Sequence, residues 1–377
     1  MKNINYKIRI LIFLLLVFLL IVASSFLIYI FDPYQIFHKS YFYKDKAYDK
    51  TIYQDAGIIN NYDFDSIIIG SSMLENVSSD EASKRIGGHF VNLSVSDSDF
   101  YERAIILRKA LKKDIKNIIY SLDEHIYLYP RFGHPKRHYS TYAFLYDDSP
   151  YNDYKVYLNR DFIRLLLNPP KNSVKLPNPW ITNKQTVVRF GGLENWIKNP
   201  APSWDKDFIL YKLPHAASKS INKSKLEKAI KLKNEKLDYL RNYVLFVAKR
   251  YPKTTFHFLF PPYYQFVHAD ERQNNQNKFL QYQSAIRFIV SKTKSKRYKN
   301  IRVYGFDDML FTNDISNYTD LVHFKPEINL LMLDAIANKT HLLMPENVED
   351  YLARSEKLAF DFDIVKLNNE AKAILNK

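Results

Sequence analysis

The chain has 377 residues, a formal net charge of +15 and no cysteine. The absence of cysteine excludes disulfides and thiolate metal sites, but it does not identify the compartment, because a large core is stable without bridges. The excess of Lys and Arg over Asp and Glu favours contact with anionic lipid or an anionic glycan. A solvated basic surface without a dedicated ligand explains the same charge equally well.

An uncharged apolar run extends from Ile10 to Phe31 and is interrupted only by Ser24 and Ser25. At about 1.5 Å per residue, a helix of this length spans the roughly 30 Å hydrocarbon core of a bilayer. We interpret residues 10–31 as an uncleaved transmembrane helix. A cleavable signal peptide is the alternative, since small residues lie near Ser24, but the apolar run continues well beyond that point.

Basic residues before the apolar run indicate its orientation. They are Lys2, Lys7 and Arg9. Under the positive-inside tendency, residues 1–9 stay in the cytoplasm and the C-terminal domain lies on the extracytoplasmic side. A protein anchored in this way is not expected to bind nucleic acid. Residues 32–62 are interpreted as a connector and residues 63–377 as one domain.

Apolar segments alternate with amphipathic ones after the connector, which is typical of an α/β protein with a parallel sheet covered on both faces. The predicted strands are 66–69, 89–95, 115–122, 255–260 and 301–304. The predicted helices are 79–86, 100–113, 225–250, 277–291 and 326–337. Residues 124–224 break the alternation with prolines and aromatic residues, and we interpret them as an insertion. Its basic aromatic segment, 131–139, either contacts an anionic polymer or is a solvated loop.

Two short motifs carry residues suited to nucleophilic catalysis. Gly70, Ser71 and Ser72 follow the first predicted strand, and open α/β sheets bind ligands beyond the carboxyl ends of their strands. Gly-Ser-Ser alone is a common turn. Asp320 and His323 lie between the last predicted strand and the last predicted helix, where a loop reaches the same edge of the sheet. A carboxylate that fixes the histidine tautomer allows the imidazole to take a serine proton.

Together these motifs resemble those of the SGNH, or GDSL-type, hydrolases, especially the membrane-anchored members that O-acetylate polysaccharides or D-alanylate teichoic acids. The resemblance covers about residues 63–125 and 225–340. It implies a flavodoxin-like three-layer sandwich with a mainly parallel sheet. It also implies that Ser72 is the nucleophile, that His323 is the general base and that Asp320 orients His323.

Two candidate oxyanion or substrate residues depart from the family pattern. Asp97 stands where the second block supplies a glycine amide, and Asp123 stands where the third block has an asparagine. A carboxylate near a developing oxyanion is unfavourable unless it points away. Asp123 either positions a water or acceptor hydroxyl or caps the strand end. Tyr263 and Tyr264, after the fourth predicted strand, either stack on a sugar or pack beneath the insertion.

The expected function is therefore acyl transfer or hydrolysis at acyl esters of cell-surface polysaccharide. The implied partners are an anionic or acylated glycan, a membrane-bound O-acyltransferase and membrane lipid around residues 10–31. No cofactor and no metal site is indicated, because histidines lack close carboxylates outside Asp320 and His323. The alternative is a catalytically inactive protein of the same fold that assembles with a membrane acyltransferase or an export complex. The altered second and third blocks favour that alternative, and the retained serine, histidine and aspartate oppose it.

Overall fold

The computed structural model describes residues 6–39, 41, 51–123, 141–158, 192–198, 237–274 and 276–376. The chain divides into two compact units, residues 1–63 with 140–176 and residues 64–139 with 177–377. Most of the predicted insertion, including the basic segment 131–139, lies outside the described residues. The same holds for the first half of the helix predicted over 225–250.

The first unit begins with helix α1, Tyr6–Phe31, which is 26 residues long and has no buried residue. It is long and apolar enough to cross a membrane. The helix begins at Tyr6, four residues before the predicted apolar run. From Ile10 to Phe31 the helix carries no charged residue on any side and buries none of its residues, and an apolar surface of this kind needs an apolar environment around it. The structure thus agrees with a membrane-spanning segment by length and composition.

The chain turns immediately after α1, around the buried carboxylate of Asp32. This carboxylate accepts hydrogen bonds from the backbone amides of residues 36–38 at 2.7 to 3.0 Å. The Tyr157 hydroxyl also donates to it. Tyr157 belongs to the predicted insertion, so that part of the insertion packs with the predicted connector, in which Thr51–Asn61 form helix α2.

The second unit is built on a five-stranded sheet in which every ladder is parallel. Its strands are β1 (Ser66–Ile69), β2 (Phe90–Asn92), β3 (Asn117–Ser121), β4 (Thr255–Phe260) and β5 (Ile301–Gly305). The order across the sheet is β2-β1-β3-β4-β5. The predicted α/β class with a parallel sheet is confirmed. Because the chain leaves β1 toward β2 and then crosses to β3, the topological switch point lies between β1 and β3, where sheets of this type bind ligands.

The helices of the second unit lie between these strands along the chain or follow the last strand. They are α3 (Ser72–Glu75), α4 (Ser79–Ile86), α5 (Phe100–Ala110), α6 (Gly192–Lys198), α7 (Phe246–Arg250), α8 (Gln265–Asn274), α9 (Gln276–Lys292), α10 (Pro326–Asn338), α11 (Val348–Asp361) and α12 (Ile364–Leu375). A π-helical turn, Arg241–Leu245, leads directly into α7. Sequence periodicity did not predict α8, α11 or α12.

Both faces of the sheet are covered by helices. On one face Ile68 and Leu259 belong to an apolar cluster with residues of α4 and α10. On the other face the ring of Tyr120 lies 6.1 Å from that of Phe100 in α5. Burying apolar surface on both faces stabilises the sheet by about 25 cal/mol per Å². The strand ends are therefore the part of the sheet available for polar chemistry.

Candidate active site

Ser72 is the first residue of α3, directly after the turn that follows β1. The preceding residue, Ser71, is the N-cap, and its hydroxyl accepts a hydrogen bond from the Met73 amide at 3.3 Å. Serine is well suited to this cap, because its short side chain accepts from a helix amide that has no intrahelical partner. The two adjacent serines thus have different surroundings: Ser71 is buried in the turn, and Ser72 is partly exposed.

Hydrogen bonds from neighbouring strand ends hold α3 at both of its ends. Asn92, the last residue of β2, donates to the carbonyls of Leu74 at 2.8 Å and Val77 at 2.9 Å. Before the helix, the Gly70 carbonyl accepts from the Val95 amide at 3.0 Å. A helix of one turn has little stability of its own, so these contacts determine where Ser72 lies.

Asp320 and His323 lie in a closed loop between β5 and α10. An isolated antiparallel bridge between Tyr318 and Phe324 joins the two sides of this loop. Within it, Asp320 Oδ1 accepts from the backbone amides of Val322 and His323, both at 2.8 Å. The spacing of three residues therefore lets the carboxylate organise the loop with one oxygen and remain available to the imidazole with the other.

The structure brings Ser72, His323 and Asp320 together in one line of hydrogen bonds. His323 Nε2 is 2.7 Å from Ser72 Oγ, and His323 Nδ1 is 2.7 Å from Asp320 Oδ2. A carboxylate can only accept, so Nδ1 carries the proton, and Nε2 of the neutral ring accepts the serine proton. The imidazole is 24% exposed and the Asp320 side chain 4%. Such a group can move a proton from the serine to a bound molecule at the sheet edge.

The charges around His323 favour its protonated form. Burial by itself lowers the pKa of the imidazolium, whereas the hydrogen bond and the negative charge of Asp320 raise it. The carboxylates of Glu75 and Asp123 act in the same direction as Asp320. The net result is a His323 pKa above its ordinary value of 6.5, which strengthens the ring as a base.

Asp123 is fully buried beneath the turn that carries Ser71 and Ser72. Its Oδ2 accepts from Arg103 at 2.5 Å, from the Ser121 hydroxyl at 2.9 Å and from the Ser71 amide at 3.3 Å. Asp123 Oδ1 is buried and has no hydrogen-bond partner among the described residues, so the hypothesis that Asp123 positions a water or acceptor hydroxyl stays a prediction. Through Oδ2, Asp123 links β3 to the turn that carries Ser72.

Arg103, the ion-pair partner of Asp123, was not predicted from the sequence. It is completely buried in α5 and also donates to the Ser121 carbonyl at 2.7 Å. A signal was present, because Phe100, Arg103, Leu107 and Ala110 follow the spacing of a buried helix face. An arginine on such a face requires a buried partner, and Asp123 provides it.

Asp97 occupies the tight turn that follows β2, and its φ is +61°. Glycine enters this left-handed region at little cost, and aspartate does so more readily than most residues. The backbone of Asp97 therefore has a conformation that glycine adopts readily. The turn lies beside the Gly70–Ser72 segment, since the Ser98 hydroxyl donates to the Gly70 carbonyl at 3.1 Å.

Tyr263 and Tyr264 do not offer an aromatic face to a sugar. They are 0% and 2% exposed, and the ring of Tyr264 lies 5.5 Å from that of Tyr318 and 6.2 Å from that of Trp196. The stacking hypothesis is therefore wrong, because both rings are enclosed in the core. Trp196 belongs to the predicted insertion. The contact of Tyr264 with Trp196 therefore agrees with the alternative prediction, that the tyrosines pack beneath the insertion.

We expect Gly70→Ala to slow the reaction of Ser72 with a fluorophosphonate probe. The added methyl would overlap Ser121 Oγ and lie 3.0 Å from Leu74 Cβ, which displaces the turn and costs about 1–3 kcal/mol of unfolding free energy. Gly87→Ala is the matched control. Gly87 has a φ of +86° and open space around it, so alanine there costs about 1–3 kcal/mol through backbone strain without touching the site. Equal labelling rates in the two folded variants would contradict this account of the turn.

No protein-family model, curated protein or solved structure was found to match this chain. The assignment of function therefore rests on the geometry of the chain's own residues.

Proposed function

We propose that the protein is a serine-dependent acyl-ester transferase or esterase of the SGNH type. The observation that carries this proposal is the continuous hydrogen-bonded line from Ser72 Oγ through His323 to Asp320, with 2.7 Å at both steps. These three residue types in this order constitute a nucleophile, a general base and an orienting carboxylate. Their position at the carboxyl edge of a parallel sheet supports the same proposal.

The strand order β2-β1-β3-β4-β5 supports the flavodoxin-like part of the proposal. It is the doubly wound order in which ligands bind at the switch point between the first and third strands. Ser72 follows β1, and Asp123 follows β3. The Gly-Ser-Ser motif and the strand order thus favour the same end of the sheet as the active site.

In the proposed reaction, Ser72 Oγ attacks the carbonyl carbon of an acyl ester while His323 Nε2 takes the serine proton. The tetrahedral intermediate collapses, the ester C–O bond breaks, and His323 returns the proton to the departing alcohol. An acceptor hydroxyl then attacks the acyl-serine and gives its proton to His323. The acyl group leaves on the acceptor and the proton returns to Ser72. A glycan hydroxyl as acceptor gives transfer, and water gives hydrolysis.

The backbone amide of Ser72 is a suitable donor to the oxyanion of this intermediate. As the first residue of α3, Ser72 has an amide without an intrahelical acceptor, and it is covalently adjacent to the attacking atom. The glycine-like backbone of Asp97 supports a second amide donor from the neighbouring turn. Removing one such donor typically costs about 10²–10³-fold in kcat.

The proposed substrate is an acylated or anionic glycan outside the cytoplasmic membrane, with α1 as the anchor. The net charge of +15 supports attraction to an anionic polymer, although charge of this kind governs association rather than a specific site. A membrane-bound O-acyltransferase would present the acyl donor at the membrane. The α1 anchor would keep Ser72, which accepts the acyl group, close to that donor.

The pH dependence of small acetyl-ester hydrolysis by the full-length protein in detergent tests the proposal. The base must be neutral to act, so kcat/KM should rise with pH through the pKa of His323, which lies above 6.5. In Asp320→Asn, loss of the carboxylate lowers that pKa. The acid limb should therefore move to lower pH while the maximal rate falls. An ester hydrolysis rate unaffected by both Asp320→Asn and His323→Ala would contradict the proposed mechanism.

A non-catalytic binding or assembly role is the second candidate, and one observation favours it. Asp123 takes the place of the family's asparagine and is enclosed with Arg103, so this residue supplies no side-chain donor to an oxyanion. A folded protein that neither hydrolyses acetyl esters nor reacts with a fluorophosphonate at Ser72 would leave this role as the better proposal.

A further inference from the structure

A groove of about 300 Å³ runs along the second unit between α5 and the helical stretch that contains the π-turn and α7. The groove is distinct from the Ser72 site, and its aromatic and basic lining residues are Tyr101, Arg108, Tyr243, Phe246, Arg250 and Tyr251. We call it the basic aromatic groove. Both flanking helices precede parallel strands, so they run in the same direction across the sheet.

The two arginines of the groove are available to a ligand. Arg108 and Arg250 are exposed, and neither has a carboxylate partner within the described part of the chain. An arginine binds carboxylate or phosphate oxygens through two parallel donors. Two such side chains on one groove therefore favour an anionic ligand.

The aromatic side chains indicate that the ligand also has a ring or another apolar surface. Tyr101 and Tyr243 form an edge-to-face pair with centroids 5.3 Å apart, and Phe246 is 56% exposed beside them. Tyrosine combines a large contact surface with few rotatable bonds. The adjacent Arg241–Leu245 segment is a π-helix, a rare conformation that often occurs at functional sites.

Charge complementarity disfavours three segments of this chain, and a second copy of the chain, as occupants of the groove. Each of the three long stretches outside the described residues, 124–140, 159–191 and 199–236, contains more Lys and Arg than Asp and Glu. A second copy of the chain brings a net charge of +15. Like charges placed opposite one another are unfavourable, so charge complementarity favours an external anion.

We propose that the basic aromatic groove binds an acidic sugar chain, with Arg108 and Arg250 contacting its carboxylates and the aromatic residues contacting its rings. From Tyr101 to Arg108 the helix rises about 10 Å, enough for an extended ligand. The Tyr101 end is close in sequence to Ser98, whose hydroxyl donates to the Gly70 carbonyl. This inference rests on the proposed function in one respect: it treats the bound sugar chain as the acceptor of the acyl group.

Calorimetric titration of the full-length protein in a non-ionic detergent tests this inference. An oligogalacturonate should bind, and a neutral maltooligosaccharide of equal length should not. The double variant Arg108→Gln/Arg250→Gln should weaken binding at least about tenfold, because charge-assisted hydrogen bonds are lost. The matched control is Lys249→Gln/Lys253→Gln, which removes two exposed charges from the same region outside the groove and should change affinity by no more than about twofold.

Equal weakening by the two double variants would overturn the inference, since the attraction would then depend only on total charge. Binding of inorganic phosphate as tight as that of the oligogalacturonate would overturn the assignment to a sugar chain. If the protein bound phosphatidylglycerol vesicles more tightly than the oligogalacturonate, and if this binding required Arg108 and Arg250, the groove would be a lipid-binding surface and the assignment to a sugar chain would be wrong. Because the readout is binding, an inactive protein that binds refutes only the proposed function, and an active esterase that does not bind refutes only this inference.

Discussion

Ser72→Ala is expected to lower kcat for acetyl-ester hydrolysis by about 10⁶-fold, because it removes the attacking atom. The free energy of unfolding should stay within about 0.5 kcal/mol of that of the parent protein, since the hydroxyl is partly exposed and outside the core. Steady-state kinetics and thermal unfolding of the two full-length proteins measure both quantities. His323→Ala should be about as damaging and Asp320→Asn milder, because members of such a unit do not contribute additively.

Ser71→Ala is the matched control for the nucleophile assignment. It removes a neighbouring hydroxyl that caps α3 through the Met73 amide, which should cost about 1 kcal/mol of unfolding free energy. A fluorophosphonate should still label Ser72 in this variant, as peptide mass spectrometry can establish. Labelling at Ser71 in the parent protein, or full ester hydrolysis by Ser72→Ala, would remove the catalytic role of Ser72.

The second large effect is expected at the buried Arg103–Asp123 pair. Asp123→Asn leaves the charge of Arg103 enclosed without a counter-charge and should cost about 3–5 kcal/mol of unfolding free energy. It should also lower the pKa of His323, because the Asp123 charge raises that pKa, and an NMR titration of the imidazole measures this shift. Fluorophosphonate labelling of the folded protein should slow by about 10- to 100-fold, since a neutral amide oxygen holds the Ser71 amide and Arg103 more weakly than the carboxylate does, and the turn before Ser72 is less firmly positioned.

The double variant Asp123→Leu/Arg103→Met separates positioning from stability. Replacing a buried ion pair by apolar residues of similar volume is often neutral for stability, so unfolding free energy should recover. Labelling at Ser72 should stay slow, because a leucine side chain offers the Ser71 amide no acceptor. Arg287→Gln, which breaks the exposed pair with Glu349, is the surface control and should cost no more than about 1 kcal/mol. Recovery of labelling together with stability would show that the pair has only a structural role.

Much of the architecture was predictable because it depends on local patterns. The strands Ser66–Ile69 and Thr255–Phe260 are short apolar runs bounded by turn residues, and they begin and end where expected. Helix α4 ends at Ile86 as predicted, since two glycines follow it. Helix α5 instead ends at Ala110, before the predicted residue 113, because the chain must turn there to enter β3. Boundaries of this kind depend on packing rather than on periodicity.

Sequence by itself determined the membrane-length apolar helix, the alternating α/β order and the identity of Ser72, Asp320 and His323 as candidates, because each is a property of consecutive or closely spaced residues. Only the tertiary structure decided which distant polar groups meet. It enclosed Asp123 with Arg103, buried Tyr263 and Tyr264 in the core, and joined Ser72 to His323 at 2.7 Å. Burial and hydrogen-bond distance depend on how strand ends and loops pack in three dimensions, and spacing along the chain does not contain that information.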